Sequence, residues 1–151
     1  MPYSTQADVQ NALGGAKRLV EAFDWDEDDV PDATAIADCI AEADSLIDSF
    51  AGKRYTVPFA TPTEIITKTS ARLAVLIGAR RRGMLTMDQQ TQWDQLAGTE
   101  TGKEGWLYRL ATGVVTPGVE PQPPASPTMQ TDFADTQLPA ERELDRCKLG
   151  W

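Results

Sequence analysis

The side chains best equipped for chemistry gather in the run Asp24-Trp-Asp-Glu-Asp-Asp-Val-Pro-Asp32. Asp24, Asp26 and Asp28 fall on the first, third and fifth positions of a calcium-loop pattern, and Asp32 on the ninth. Such a loop works because alternate oxygens converge on one cation, with a glycine at position six for the sharp turn and a bidentate glutamate at position twelve. Here position six is Asp29 and position twelve is Ala35. The run therefore reads as an exposed acidic turn, and no metal is assigned to it.

Elsewhere the means for catalysis are thin. The 151 residues contain no histidine, which removes the commonest general base, metal ligand and pH switch together. Cys39 sits in an apolar helical stripe and Cys147 lies far along the chain, so neither a disulfide framework nor a zinc site is implied. There is no glycine-rich phosphate loop, no nucleophile elbow and no cysteine pair at ligand spacing. The remaining carboxylates lie on loops and polar faces, where no acid and base with separated pKa values can be nominated. The expectation is a protein that is not an enzyme, with no catalytic residue, metal or cofactor.

Something other than catalysis must then explain the elements. Thr5 is a good N-cap before a helix from Ala7 to Leu13, and Gly14-Gly15 supplies the stop. Lys17 to Phe23 predicts another turn or two of helix. From Ala33 to about Ala51, Ile36, Ile40, Ala43, Ile47 and Phe50 recur at helical spacing, with Asp38, Glu42 and Ser45 facing away. Gly52 ends this helix in the left-handed manner, and an extended link follows because Pro58 and Pro62 push their predecessors out of the helical region. Thr61 is expected to cap a third helix with Pro62 at its first position, running to Gly83. Its apolar residues are Ile66, Thr69, Leu73, Leu76 and Ile77, while Ala71, Ala74, Gly78 and Ala79 allow another helix close approach.

Thr86 caps a fourth helix through Leu96, and a short fifth segment carries Trp106, Leu107 and Leu110 before Gly113. Beyond it, Pro117, Pro121, Pro123, Pro124 and Pro127 favour polyproline or coil over a core. The predicted architecture is mainly α: a helical bundle of about four to five helices over residues 1–113, with an extended Pro-rich arm over 114–151. At this length one hydrophobic core suffices, and no internal repeat is present. The opening residues lack a basic stretch followed by an apolar run, and no segment approaches the ~18 apolar residues of a membrane span. A soluble chain without a membrane partner, made and kept in a cytoplasm, is expected.

Charge is unevenly spread. The net charge is −9, yet residues 24–52 hold ten acidic and no basic side chains, whereas 53–83 hold seven basic and one acidic. One reading is plain solvation and helix-dipole matching. The sharper one is head-to-tail contact between identical subunits, with an acidic face of Asp38, Glu42, Asp44 and Asp48 meeting a basic face of Lys68, Arg72, Arg80, Arg81 and Arg82. Three adjacent arginines on so acidic a chain, with no aromatics beside them to stack bases, make a poor nucleic-acid footprint.

The order of these features resembles a known family. A short first helix opening on Tyr3-Ser-Thr-Gln-Ala-Asp8, an acidic loop, an Ile-rich helix ending Ile47-Asp-Ser-Phe-Ala-Gly-Lys-Arg-Tyr-Thr-Val-Pro58, then the helix from Thr61 to Gly83, is similar to the head-tail adaptor (connector, or head completion) proteins of tailed bacteriophages, particularly those of Mu-like phages and related gene transfer particles. The likeness covers about residues 3–112. It implies a structural virion protein at the head-tail interface, forming a ring, usually twelvefold, that docks on the portal protein. The ring would receive a tail-side stopper or tail terminator, and DNA would pass through its lumen without sequence-specific binding. An arm that orders on a partner gives wide contact, and Leu144, Leu149 and Trp151 are its candidate apolar anchors. The rival reading is a small helical adaptor or regulator that engages one partner through its Pro-rich tail.

Overall fold

A computed structural model of the protein describes residues 1–98 and 104–118. Helix α1 (Gln6–Leu13) begins at a reciprocal cap: Thr5 Oγ1 accepts from the Asp8 amide at 3.3 Å, and the Asp8 carboxylate accepts from the Thr5 amide at 2.8 Å. Gly14, at φ 84°, makes the left-handed turn that returns the Gly14 and Gly15 amides to the carbonyls of Asn11 and Gln10. The next stretch is a full eight-residue helix, α2 (Ala16–Phe23), with Leu19 and Phe23 buried. After the acidic loop come α3 (Ala33–Ala51) and α4 (Glu64–Arg81), then α5 (Met87–Leu96) and α6 (Trp106–Thr112). Thr86 and Gln89 repeat the reciprocal cap at the start of α5. Six helices and no strand among the described residues confirm the mainly α class, and the count exceeds four to five because α2 is a helix in its own right.

The α3/α4 pair forms the spine of the fold. α1, α2 and α5 pack on α4, while α6 packs on α3. Ile36, Cys39, Ala43 and Ile47 from α3 meet Ile66, Leu73, Ala74 and Ile77 from α4, and Val9, Phe23, Leu107 and Leu110 close the core. Each fully buried Leu or Ile contributes roughly 1.5–3 kcal/mol of apolar transfer. The small-residue positions of α4 do the job foreseen for them at Gly78, where an added Cβ would stand 2.8 Å from the Phe23 ring. α2 can lean on α4 only because that side chain is absent.

Two helix ends depart from expectation. α4 starts at Glu64 with Thr63 as its N-cap, two residues later than expected, and Thr63 makes no side-chain capping bond. Its hydroxyl donates instead to the carbonyl of Pro117 at 2.6 Å. Gly52 closes α3 with φ −59°, a right-handed conformation. What the position demands is space, since a Cβ there would lie 3.0 Å from the Asp48 carbonyl oxygen and 3.3 Å from Val57.

The chain stays on the body after Gly113. Pro117 is buried, and Gly118 sits beside Thr63, where an added Cβ would be 3.5 Å from the threonine methyl. The rest of the Pro-rich arm, residues 119–151 with Leu144, Leu149 and Trp151, lies outside the described residues.

Candidate interaction surfaces

The four acidic residues expected to share one outward face divide into two pairs. Asp38 and Glu42 are exposed. Asp44 and Asp48 are half-buried and bind the N-terminal segment. The Asp44 carboxylate accepts from the Tyr3 amide at 2.8 Å and from the Ser70 hydroxyl at 2.5 Å. The Tyr3 hydroxyl donates to Asp48 and accepts from the Phe59 amide at 2.9 Å. Ser4 and Ser70, both fully buried, share a hydrogen bond at 2.8 Å. Tyr3 also packs against Phe59, its ring centroid 5.7 Å away. One seam of hydroxyls and carboxylates thus ties residues 3–4, α3, α4 and the 55–60 link together.

Burial dominates the ionisation of this seam. It raises the Asp44 carboxyl above its ordinary range despite the opposing hydrogen bonds from Ser70 and Tyr3, with nearby Asp48 adding to the rise. It also raises the Tyr3 phenol far above its ordinary value, and the hydrogen bond to Asp48 pushes the same way. Cys39, buried in the core, is likewise raised by desolvation and so is a poor nucleophile.

Sequence reasoning passed over Tyr3, Ser4 and Ser70, and it placed Asp44 and Asp48 with the solvent-facing acids. A signal was present in the helical phase. At 100° per residue, Asp44 and Asp48 lie about 70° and 110° from the centre of the Ile stripe, while Asp38 lies almost opposite it. The two flanking aspartates were therefore placed to reach a neighbour.

The basic residues are also variously engaged. Arg81 pairs with Glu42 at 2.6 Å, joining the expected acidic and basic sets within one chain, and this hydrogen bond raises the arginine's pKa further. Lys68 pairs with Glu64 at 2.6 Å along α4, and that contact lowers the glutamate. Arg80 lies over the Trp93 ring at 5.2 Å. Arg82 donates to the carbonyls of Glu21 and Ala22 at 3.0 and 3.3 Å, where α2 ends. Arg72 is exposed and lines a groove between α1 and α4 with Asp8, Asn11 and Thr67. Beyond Arg82, Met84 in the α4–α5 turn and Met87 at the start of α5 are exposed.

In the acidic loop, oxygens of Asp24, Asp26 and Asp28 come within 4.8 Å of one another. The sharp turn is made without glycine, for Asp29 itself adopts φ 63°. Asp24 supports it, accepting from the Asp28 and Asp29 amides at 3.1 Å each, while Asp32 accepts from the Trp25 amide at 3.3 Å. Partial desolvation, then the charges of Asp28, Asp32 and Asp24, raise Asp26. Ala35, at the twelfth position, is buried in α3 and has no oxygen to offer from its side chain.

A broad concavity lies along the flank of α3. About 710 Å³ in volume, it is lined by Ala33, Ile36, Ala37, Ile40 and Ala41, with residues 1–6 along one side and Asp44, Asp48 and Pro58 toward one end. No helix among the described residues is long and apolar enough to cross a membrane.

Among the described residues, then, a buried polar seam, an apolar groove and exposed methionine and arginine side chains lie on a mainly helical body. The family model described as Bacteriophage Mu, Gp36 matches residues 3–134, so the chain belongs to that family and is a phage structural or assembly protein. The match agrees with the Mu-like resemblance and extends it from residue 112 into the Pro-rich segment. Comparison with curated proteins and with solved structures gave no match.

Proposed function

We propose that the chain is a head-tail adaptor: a non-catalytic virion subunit that forms a ring between the portal and the tail-side components, with DNA passing through its lumen. Membership of the Mu Gp36 family carries this reading. Charge supports it, because a net −9 repels phosphates and so limits sticking of DNA in transit. With Glu42 and Arg81 paired inside the chain, and Asp44 and Asp48 spent on the N-terminal seam, a contact between copies falls to Asp38 and the acidic loop on one side. With Arg81 paired to Glu42 and Lys68 to Glu64, Arg72, Arg80 and Arg82 serve on the other. The anchors Leu144, Leu149 and Trp151 then engage the portal or a neighbouring subunit.

The test mixes the purified chain with portal-bearing heads and images the vertex. A ring of about twelve copies at the portal is expected, and a chain truncated after Ala134 should keep its helical body yet fail to attach. Attachment unchanged by the truncation would remove the arm from the mechanism. A chain that ignores portals and instead captures a single soluble partner through its Pro-rich segment would favour the rival adaptor reading.

A further inference from the structure

Among the described residues, the flank of α3 that carries Ala33, Ala37 and Ala41 is covered at one end. Residues 1–4 dock there as an extended segment, with the Tyr3 amide on Asp44 and its hydroxyl on Asp48. The apolar groove of about 710 Å³ continues along the three alanines, all exposed. We propose that residues 126–134 of the chain, Ser-Pro-Thr-Met-Gln-Thr-Asp-Phe-Ala, fill this groove as a second extended segment, with Met129 and Phe133 against the exposed flank of Ala33, Ala37 and Ala41.

Reach permits it. The described chain ends at Gly118 beside Thr63, and Thr63 is five residues from Pro58, which lines the groove. Five residues span at most about 18 Å, and the seven residues 119–125 cover about 22 Å as polyproline. From Ala33 to Asp48 the helix is about 22 Å long, a length that nine extended residues match at about 28 Å.

Composition favours this part of the arm over the rest. Residues 126–134 carry one charged side chain, Asp132, whereas 141–148 carry six. Burying the former in an apolar groove costs far less desolvation. A floor of alanines accepts the flat ring of Pro127 and the unbranched Met129 without a pocket for each. The Mu Gp36 family match also takes in this segment together with the body and stops at 134. The inference does not depend on the adaptor reading, since it concerns the isolated chain.

The experiment places a photo-crosslinking benzoylphenylalanine at position 6, an exposed position along the side of the groove, in the full-length chain and maps the product by mass spectrometry. Crosslinks into 119–134, of the same or a neighbouring copy, are expected. Crosslinks confined to the helical body of a second copy, or none to that segment, would overturn the proposal. In parallel, the double variant Ala37→Arg/Ala41→Arg fills the groove from two exposed positions. Chymotrypsin cleavage after Phe133 should then accelerate at least ~10-fold with helicity unchanged, as protection is lost. Equal cleavage rates would overturn the proposal, and a variant that loses helicity leaves the decision to the crosslink.

Discussion

Two regions of the molecule carry polar groups in similar abundance and use them in opposite ways. In the seam around Tyr3, the carboxylates of Asp44 and Asp48 are half-buried and joined to hydroxyls and amides from distant parts of the chain. At the Arg80–Arg82 end, the charged groups stay in water, and their partners are a surface glutamate, a tryptophan face and two carbonyls. Charge counted by segment is therefore a poor guide to charge presented to a partner. The first region uses its charges to hold the fold, and the second keeps them at the surface.

The strongest way to test this contrast is Asp44→Ala. It strips the acceptor from the buried Ser70 hydroxyl and the Tyr3 amide at once, so a loss of about 3 kcal/mol is expected. Denaturant unfolding reads it, and a loss under about 1 kcal/mol would mean the seam is dispensable.

Next comes Tyr3→Phe, with an expected cost of about 1.5–2 kcal/mol, because Asp48 loses its donor and the Phe59 amide its acceptor. The buried hydroxyl of Tyr55, which has no partner among the described residues, provides the control: Tyr55→Phe should be close to neutral. pH sharpens the comparison. The folded pKa of Tyr3 lies above its ordinary 10.0, so its contribution is fully present below pH 10 and is lost as pH rises toward the folded value. The stability gap between wild type and Tyr3→Phe should narrow between pH 8 and pH 11, and a constant gap would contradict the assigned burial.

The smallest effect belongs to Arg81→Ala. Its pair with Glu42 is exposed on both sides and should contribute roughly 0.5 kcal/mol or less. A double-mutant cycle with Glu42→Ala measures it, and a coupling above about 1 kcal/mol would erase the distinction between the two regions.

Much of the fold was legible beforehand because its signals are local. The Thr5 and Thr86 caps, the Ile36–Ile47 stripe and the close approach at Gly78 depend on residues a few positions apart or on side-chain size alone. The capping bond expected at the start of α4 is absent, because the Thr63 hydroxyl is drawn to Pro117, a partner 54 positions away. The same holds for Asp44, whose partners Tyr3 and Ser70 are 41 and 26 positions distant.

By itself, then, the sequence determined the helical class, most of the helix spans and the uneven charge, since these follow from composition and from periodicity within a few turns. The tertiary structure alone decided which carboxylates are consumed within the chain, which arginines keep to the surface and where an apolar groove is left open. Those outcomes rest on contacts between residues far apart in the chain, and one helical period at 100° per residue places a side chain on a face without saying what lies opposite it.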